Sequence, residues 1–300
     1  MLGGWAKGPW EADGRKLEAC RRGAGVRVMA STASGASVGR ASILGRRPWS
    51  RRALSLVCVL GVWQLTVWAN RALGFMNPAL LPTPAGIIRG ASEEIAEGIL
   101  HLDVLYSLYR VVVGFVLGAA VAVVAGCVAG TVRSVEDFLD PVLEVLRPIP
   151  PLAWLPLFIF WFGIGEPSKI YFTAFVAFFP VYVNTIEGVK YADPLLLRAA
   201  LSLGATQGQM FRLIILQAAM PQIITGLRLG FGMAFLALVA TELIASNAGL
   251  GYRIMEARNY FKVDWMVFGA LMIGLIGFTL GSLIRAVEAR LLCWRPREEK

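Results

Sequence analysis

Six stretches of largely apolar residues, each long enough to cross a bilayer as a helix, constrain this chain more than any other feature. They are 53–74, 104–130, 140–162, 168–189, 221–245 and 265–287. A transmembrane helix needs about 20 mainly apolar residues, so the expected fold is an all-α membrane protein with six transmembrane helices in contact with membrane lipid. Composition agrees. Charged residues make up 16% of the chain, against about 25% in soluble domains.

The formal net charge of +9 could suit a nucleic-acid partner, but its distribution argues against one. Eleven of the 29 Lys+Arg lie in residues 1–52, and Arg285, Arg290, Arg295, Arg297 and Lys300 close the chain. Basic residues packed outside apolar spans follow the positive-inside rule. Arg46, Arg47, Arg51 and Arg52 precede the first span and predict a cytoplasmic N-terminus. Six crossings return the basic C-terminus to the same side. Residues 75–103, 163–167 and 246–264 then face outward, and 131–139 and 190–220 face the cytoplasm. One segment runs against the rule: outward-facing GLGYRIMEARNYFKVDW carries Arg253, Arg258 and Lys262 against Glu256 and Asp264. The other outer segment contains TPAGIIRGASEEIAEG, which reads as a short interfacial helix from Thr83–Pro84 with Glu93, Glu94 and Glu97.

Residues 1–45 are rich in Ala, Gly, Ser and Arg, and lack both apolar periodicity and the about 7–15-residue apolar core of a signal peptide. They read as a disordered basic cytoplasmic tail. Residues 46–292 form the membrane domain, and 293–300 a second cytoplasmic tail. Met29 is an alternative start, since 29–52 would make a short basic leader to the first span. Cys20, Cys58, Cys127 and Cys293 show no metal or disulfide spacing. His101 is the sole histidine, which argues against His-based metal clusters and Ser-His-Asp triads. No metal or cofactor is expected.

Between the fourth and fifth spans lies LLLRAALSLGATQGQMFRLIIL, residues 195–216. Asp193-Pro194 is a helix-start signal, and Gly204 suits a left-handed C′ position. Thr206-Gln207-Gly208-Gln209 has the form of a capping box opening a second helix. The first helix is about 15 Å long, too short to span and too regular for a slack loop. Leu196, Ala200 and Leu203 share one face, and Arg198 and Ser202 another. Such a helix can lie at the cytoplasmic surface and present a small-residue patch of Ala199, Ala200, Gly204 and Ala205 to a partner. An ordinary interfacial connector is the other reading.

Arg147-Pro148-Ile149-Pro150-Pro151 cannot be regular helix. Non-helical backbone at membrane depth occurs where it is buried in protein or lines a cavity. Residues 147–161, with Trp154 and Trp161, therefore read either as part of a translocation pathway or gate, or as a packing kink with interfacial Trp anchors. Pro156 and Pro180 are further expected kinks. Gly226, Gly230, Gly232 and Ala234 form a small-residue face, suited to a dimer seam or to packing within one subunit. No G-x-x-x-x-G-K-[ST] phosphate loop occurs, so the chain is not itself an ATPase. Arg110, Arg147, Glu187, Arg228 and Glu242 are the candidates for ionisable residues deep within the spans. Arg110 and Glu242 fall toward the outer ends and Glu187 and Arg228 toward the inner ends, where snorkelling is the default. An ion-coupled secondary transporter would need a deep Asp/Glu/His relay, which these residues do not form. A receptor or scaffold without transport is a third class.

R-A-A-x-x-x-G-A at 198–205, followed by an apolar helix and Pro221, resembles the EAA loop of binding-protein-dependent ABC importer permeases. LLPTPAGI at 80–87, LRPIPPLAWLPLFIFWFGIGEPSKI at 146–170, FFPVYVNTIEGV at 178–189 and TGLRLGFGMAFLALVATELIASNAGLGYRIMEARNYF at 225–261 are similar to the nitrate/sulfonate/taurine-type branch. The resemblance covers roughly residues 50–292. It implies a type I importer permease of the bacterial inner membrane, forming a homodimer with two cytoplasmic ABC ATPase subunits and served by an extracytoplasmic solute-binding protein. It implies a small anionic solute, and a coupling helix in which Arg198, Ala199, Ala200, Gly204, Ala205 and Thr206 meet the ATPase. Two positions depart from the family pattern. Arg198 stands where Glu is usual, reversing a charge at the docking surface, and Leu216-Gln217 stands where Leu-Pro is usual.

Overall fold

The computed structural model describes residues 48–77 and 80–291. The proposed tails 1–45 and 293–300, and the Met29 question, lie outside the described residues. The elements are α1 (Pro48–Leu73), α2 (Pro84–Glu97), α3 (Leu100–Thr131), α4 (Arg133–Leu146), α5 (Pro151–Phe162), α6 (Glu166–Lys190), α7 (Pro194–Ser202) and α8 (Gln207–Met210), followed by a π-helical segment (Phe211–Ile215), α9 (Leu216–Ala245), α10 (Leu250–Asn259) and α11 (Val263–Leu291). No strand occurs among the described residues. The chain divides into two compact units. Leu60–Ala286 is the body described below. Of the other unit the described part is helical, with Leu54, Val57 and Val59 exposed.

Four stretches among the described residues are long and apolar enough to cross a membrane: Leu100–Thr131, Glu166–Lys190, Gln207–Asn259 and Val263–Leu291. Joined, α4 and α5 make a fifth, but the two are bent by 100°. The expected span over 140–162 is therefore two helices, broken at the proline run where the sequence rules out regular helix. Prolines at 148, 150 and 151 withhold backbone donors, and Pro151 pushes the residue before it out of the α region, although Arg147 before Pro148 stays helical. Pro150 accordingly sits at φ −55°, ψ 129° before α5 starts.

The core lies where α3, α6 and α9 run together, and glycines set how close they come. A Cβ at Gly114 would lie 2.7 Å from Thr173 Cβ, and one at Gly118 would lie 2.2 Å from the carbonyl oxygen of Ala174. Gly126 and Gly130 meet Thr185 and Val189 in the same way. This is the small-residue packing by which membrane helices approach each other closely. On α9, Gly226 and Gly230 press against Asn184, Val181 and Ala177 of α6. These two glycines of the small-residue face thus pack within one subunit, as does Ala234, which is fully buried. Gly232 has nothing within 4 Å of its missing Cβ.

Aliphatic and aromatic side chains fill the space around these contacts. Val181, Tyr182 and Ile186 of α6 pack with Ala119, Ala122 and Ala129 of α3, and Phe231, Ala234 and Leu238 of α9 pack on Val111 and Ala177. Helix α2 starts at Thr83, whose hydroxyl accepts the Gly86 amide at 2.9 Å. Gly86 and Gly90 let α2 lie against Asp264 and Trp265 at the start of α11. Of the residues in α11's most apolar window, only 6% are buried.

Gly118→Ala should lower the melting temperature of the purified protein, at a stability cost of about 1–3 kcal/mol or more. Gly274→Ala, with nothing near its missing Cβ, should leave it within a degree or two.

Candidate functional site

Three places in the body carry groups that could do chemistry or bind a partner. The first is the turn after α7. The Asp193 carboxylate accepts the Leu195 amide at 2.8 Å, with Pro194 at the first helical position. Gly204 then takes φ +79°, a conformation that strains any residue with a Cβ. Thr206 caps the next helix: its hydroxyl accepts from the Gln209 amide, while the Gln209 side chain accepts from the Thr206 amide at 2.9 Å. These caps are the ones the sequence predicts. Arg198, Ala199, Gly204 and Thr206 are exposed, Ala205 is half-buried, and Leu203 is 88% exposed. Ala200 differs from expectation. It is buried, so it supports the turn from beneath and is not part of the open patch. Gly204 and Gly208 approach nothing within the chain.

The second place is the α4–α5 break. A cavity of about 310 Å³ opens there, lined by Arg147, Pro151 and Trp154 together with Phe175, Phe179 and Asn184 of α6. Pro150 lines a smaller cavity of about 200 Å³ toward α9, with Pro151, Phe172 and Met233. Trp154 stacks edge-on against Phe175 at 5.7 Å, and its indole N–H is buried without an acceptor. Pro148 is exposed within the break, and Trp161 is exposed, packing on Phe158 and Phe162. Of the six residues expected along the pathway, Arg147, Pro150, Pro151 and Trp154 therefore line these two cavities, and Pro148 and Trp161 line neither.

The third place overturns an expectation. Arg110 and Glu242 are each only 1% exposed and do not snorkel. The Arg110 guanidinium donates from Nη1 to Glu242 at 2.8 Å, and from Nε and Nη2 to both oxygens of Glu166 at 2.6 Å. Nη1 also donates to the carbonyl of Ala248 at 2.6 Å. Ser107 Oγ lies 2.8 Å from both Glu242 oxygens and accepts the Leu250 amide. Asp103 accepts from the Gly249 amide at 2.7 Å and from Arg253 at 2.6 Å, and Glu242 accepts the Gly251 amide. Three of the four orphan amides at the start of α10 thus find acceptors on α3 and α9. Gly249 sits at φ +112°, and a Cβ there would lie 2.4 Å from Glu242. Lys169, also buried, donates to Glu166 at 3.1 Å, and Glu166 is 46% exposed.

This network ties α3, α6, α9 and α10 together at the end of the bundle away from α7. Periodicity could not find it, because its members lie up to 150 positions apart. The available signal was that Asp103, Ser107 and Arg110 recur at helical spacing on one face of α3. Glu187 is exposed near the other end of α6, as an end group should be, whereas Arg228, expected toward an end, is exposed near the middle of α9.

Removing one partner of a buried pair leaves an uncompensated charge. Glu242→Ala should cost about 3–5 kcal/mol, seen as a lower melting temperature or loss of folded protein. Glu166→Ala, which removes a half-exposed carboxylate from the buried cations Arg110 and Lys169, should also destabilise, but by less than Glu242→Ala because Arg110 keeps Glu242.

A family model described as "Binding-protein-dependent transport system inner membrane component" matches residues 114–292. An aliphatic sulfonates transport permease, SsuC of Bacillus subtilis, is 38% identical over 254 residues, covering 85% of this chain and 91% of its own length. The taurine transport system permease TauC of Escherichia coli is 35% identical over 254 residues, covering 83% and 92%. Among solved structures, an amino acid ABC transporter crystallised with histidines superposes with a TM-score of 0.52 at 18% identity, covering 67% of this chain and 97% of that one. That likeness shows the fold, and the sequence matches show more: the chain belongs to the family of inner membrane components of binding-protein-dependent transport systems, the permease subunits of ABC importers.

Proposed function

We propose that the chain carries a small organic sulfonate, or a solute with similar anionic chemistry, across the inner membrane, with separate cytoplasmic ATPase subunits docking on α7 and the turn that follows it. The observation that carries the docking is the geometry of residues 193–209. A side-chain cap, a left-handed glycine and a full capping box hold a nine-residue helix rigid at the surface while Leu203 stands almost fully exposed. Leu195, Leu196, Leu201 and Leu203 are all exposed on this segment, and such a group of apolar side chains on so defined a turn fits burial by a partner. Arg198, Ala199, Gly204, Ala205 and Thr206 would meet the ATPase, with Ala200 backing them. The sulfonate assignment draws on the two relatives, one transporting aliphatic sulfonates and the other taurine.

The remaining organisation follows from the same reading. Helix α1 is 26 residues long, about 39 Å at 1.5 Å per residue, and serves as the first crossing; the broken α4–α5 pair serves as the third. Six crossings place both termini in the cytoplasm, with basic tails at 1–45 and 293–300 flanking a membrane domain over 46–292. Two copies form the pore. Gly232, open on α9 beside exposed Leu229 and Leu236, lies at the seam between them. Lipid covers the remaining apolar surface. A binding protein delivers the solute from outside.

Co-purification of the tagged permease with its ATPase tests the docking. Leu203→Asp should reduce recovered ATPase at least about tenfold, the loss expected when an apolar anchor becomes charged, while the permease's own melting temperature holds. Undiminished ATPase on the Leu203→Asp protein would contradict the assignment. Arg198→Glu should weaken the native pair if the ATPase groove is acidic at that point, and strengthen it if the groove is basic.

A further inference from the structure

The turn at residues 193–209 joins the bundle through two links. On one side α6 ends at Lys190 and α7 begins at Pro194, with Tyr191 exposed between them. On the other side the chain is helical from Gln207 to Ala245, which would make one stiff rod but for a single irregularity. The Phe211 amide donates to the carbonyl of Gln207, four residues back, whereas the Leu216 amide donates to the carbonyl of Phe211, five residues back. Such a wide turn is rare, occurs singly within α-helices and is frequent at functional sites. It holds one residue more than α-helix would place between the same two ends.

The irregularity sits between two fixed points. Before it, Thr206 and Gln209 close the capping box. After it, α9 is pressed onto α6: Ala219 is fully buried, and a Cβ on Gly188 would lie 3.0 Å from its carbonyl oxygen and 2.9 Å from Gln222 Cβ. Val189 and Ile223 continue that contact. In between, no residue of Phe211–Ile215 is buried. A cavity of about 860 Å³ opens behind the segment, with Met210, Phe211 and Ile215 on one wall and Val123, Cys127 and Thr131 of α3 on the other. Side chains that face a void lack the contacts that would hold them in place. The segment therefore has an extra residue in its backbone and room beside it.

We propose that the π-helical segment Phe211–Ile215 is the joint between the docked turn and the membrane body. A turn continuous with α9 as unbroken α-helix would have to follow every tilt of the bundle and leave its seat on the ATPase. With the joint, α7 and α8 keep that seat while α9 tilts with α6, and the change of angle is absorbed at 211–215 and taken up in the cavity behind. The assignment rests on the reading that the ATPase docks on α7, and it adds the place where the docked turn and the bundle change angle.

The test deletes Leu213, an exposed residue, so that 211–216 closes as α-helix with both flanks in register and no core side chain lost. The permease, its ATPase and its binding protein are placed in lipid vesicles, with ethanesulfonate as the solute. The deletion should leave ATPase recovery on the tagged permease within about twofold and lower ATP-driven uptake about tenfold or more, as loss of a hinge does. Leu213→Ala, which keeps the extra residue, should retain uptake within about twofold. Undiminished uptake by the deletion protein overturns the joint and leaves the docking intact. A wild-type permease that recovers no ATPase overturns the docking and the joint with it. Where the shortened chain does not assemble, or ethanesulfonate is not carried, hydrogen exchange on the wild-type permease–ATPase complex in nanodiscs decides. Trapping with ATP and vanadate should change exchange of the 211–216 amides about fivefold or more and leave 219–226 within about twofold. Equal exchange at 211–216 with and without trapping overturns the joint.

Discussion

At Gly118 the backbone of α3 lies directly on the backbone of α6, so close that a methyl group would overlap the carbonyl oxygen of Ala174. Lipid tails are as apolar as leucine, so helices in a membrane gain little from hiding apolar surface from one another. Close packing and hydrogen bonds must hold them, and the glycines at 114, 118, 126 and 130 make that packing possible. Gly226 and Gly230 do the same between α9 and α6. Once α3 and α9 lie on either flank of α6, Arg110 is brought within reach of Glu166 and Glu242 together. The glycine contacts are thus the condition for the buried ion network, which in turn caps α10 and closes that end of the bundle.

Four of the six expected spans were legible as unbroken crossings because spanning a bilayer demands a length of apolar chain that little else imitates. The caps around Gly204 were legible because capping is local chemistry: Asp193, Gly204, Thr206 and Gln209 each act within a few residues of their own position. The proline run at 148–151 announced a break, though not that the two helices beside it would diverge by 100°. Arg110 and Glu242 were misread as end groups. Their positions near the ends of spans suggested water, but their partners come from three other segments and from backbone amides that only the fold assembles. Ala200 was misread in a smaller way, since nothing local distinguishes an alanine facing a partner from one facing its own chain.

The two ends of the body therefore differ in character. One is tied together by charges that find internal partners across α3, α6, α9 and α10. The other presents a short capped helix, α7, joined to α9 through a π-helical segment, a feature often found at functional sites. Between them lies the α4–α5 break, where backbone leaves the helical ladder and a cavity opens beside α6. In the proposed cycle, closure of the ATPase partners displaces α7, the locked bundle tilts as one piece, and the broken segment is where the passage opens and closes. Rigidity at one end and a break in the middle together let a small displacement at the surface reach the interior.

Solute uptake into vesicles holding the permease, its ATPase and its binding protein tests this account most directly. The account predicts uptake of an alkanesulfonate that requires ATP and the binding protein, and that persists when ionophores abolish every ion gradient. Uptake driven by an ion gradient without ATP would contradict it.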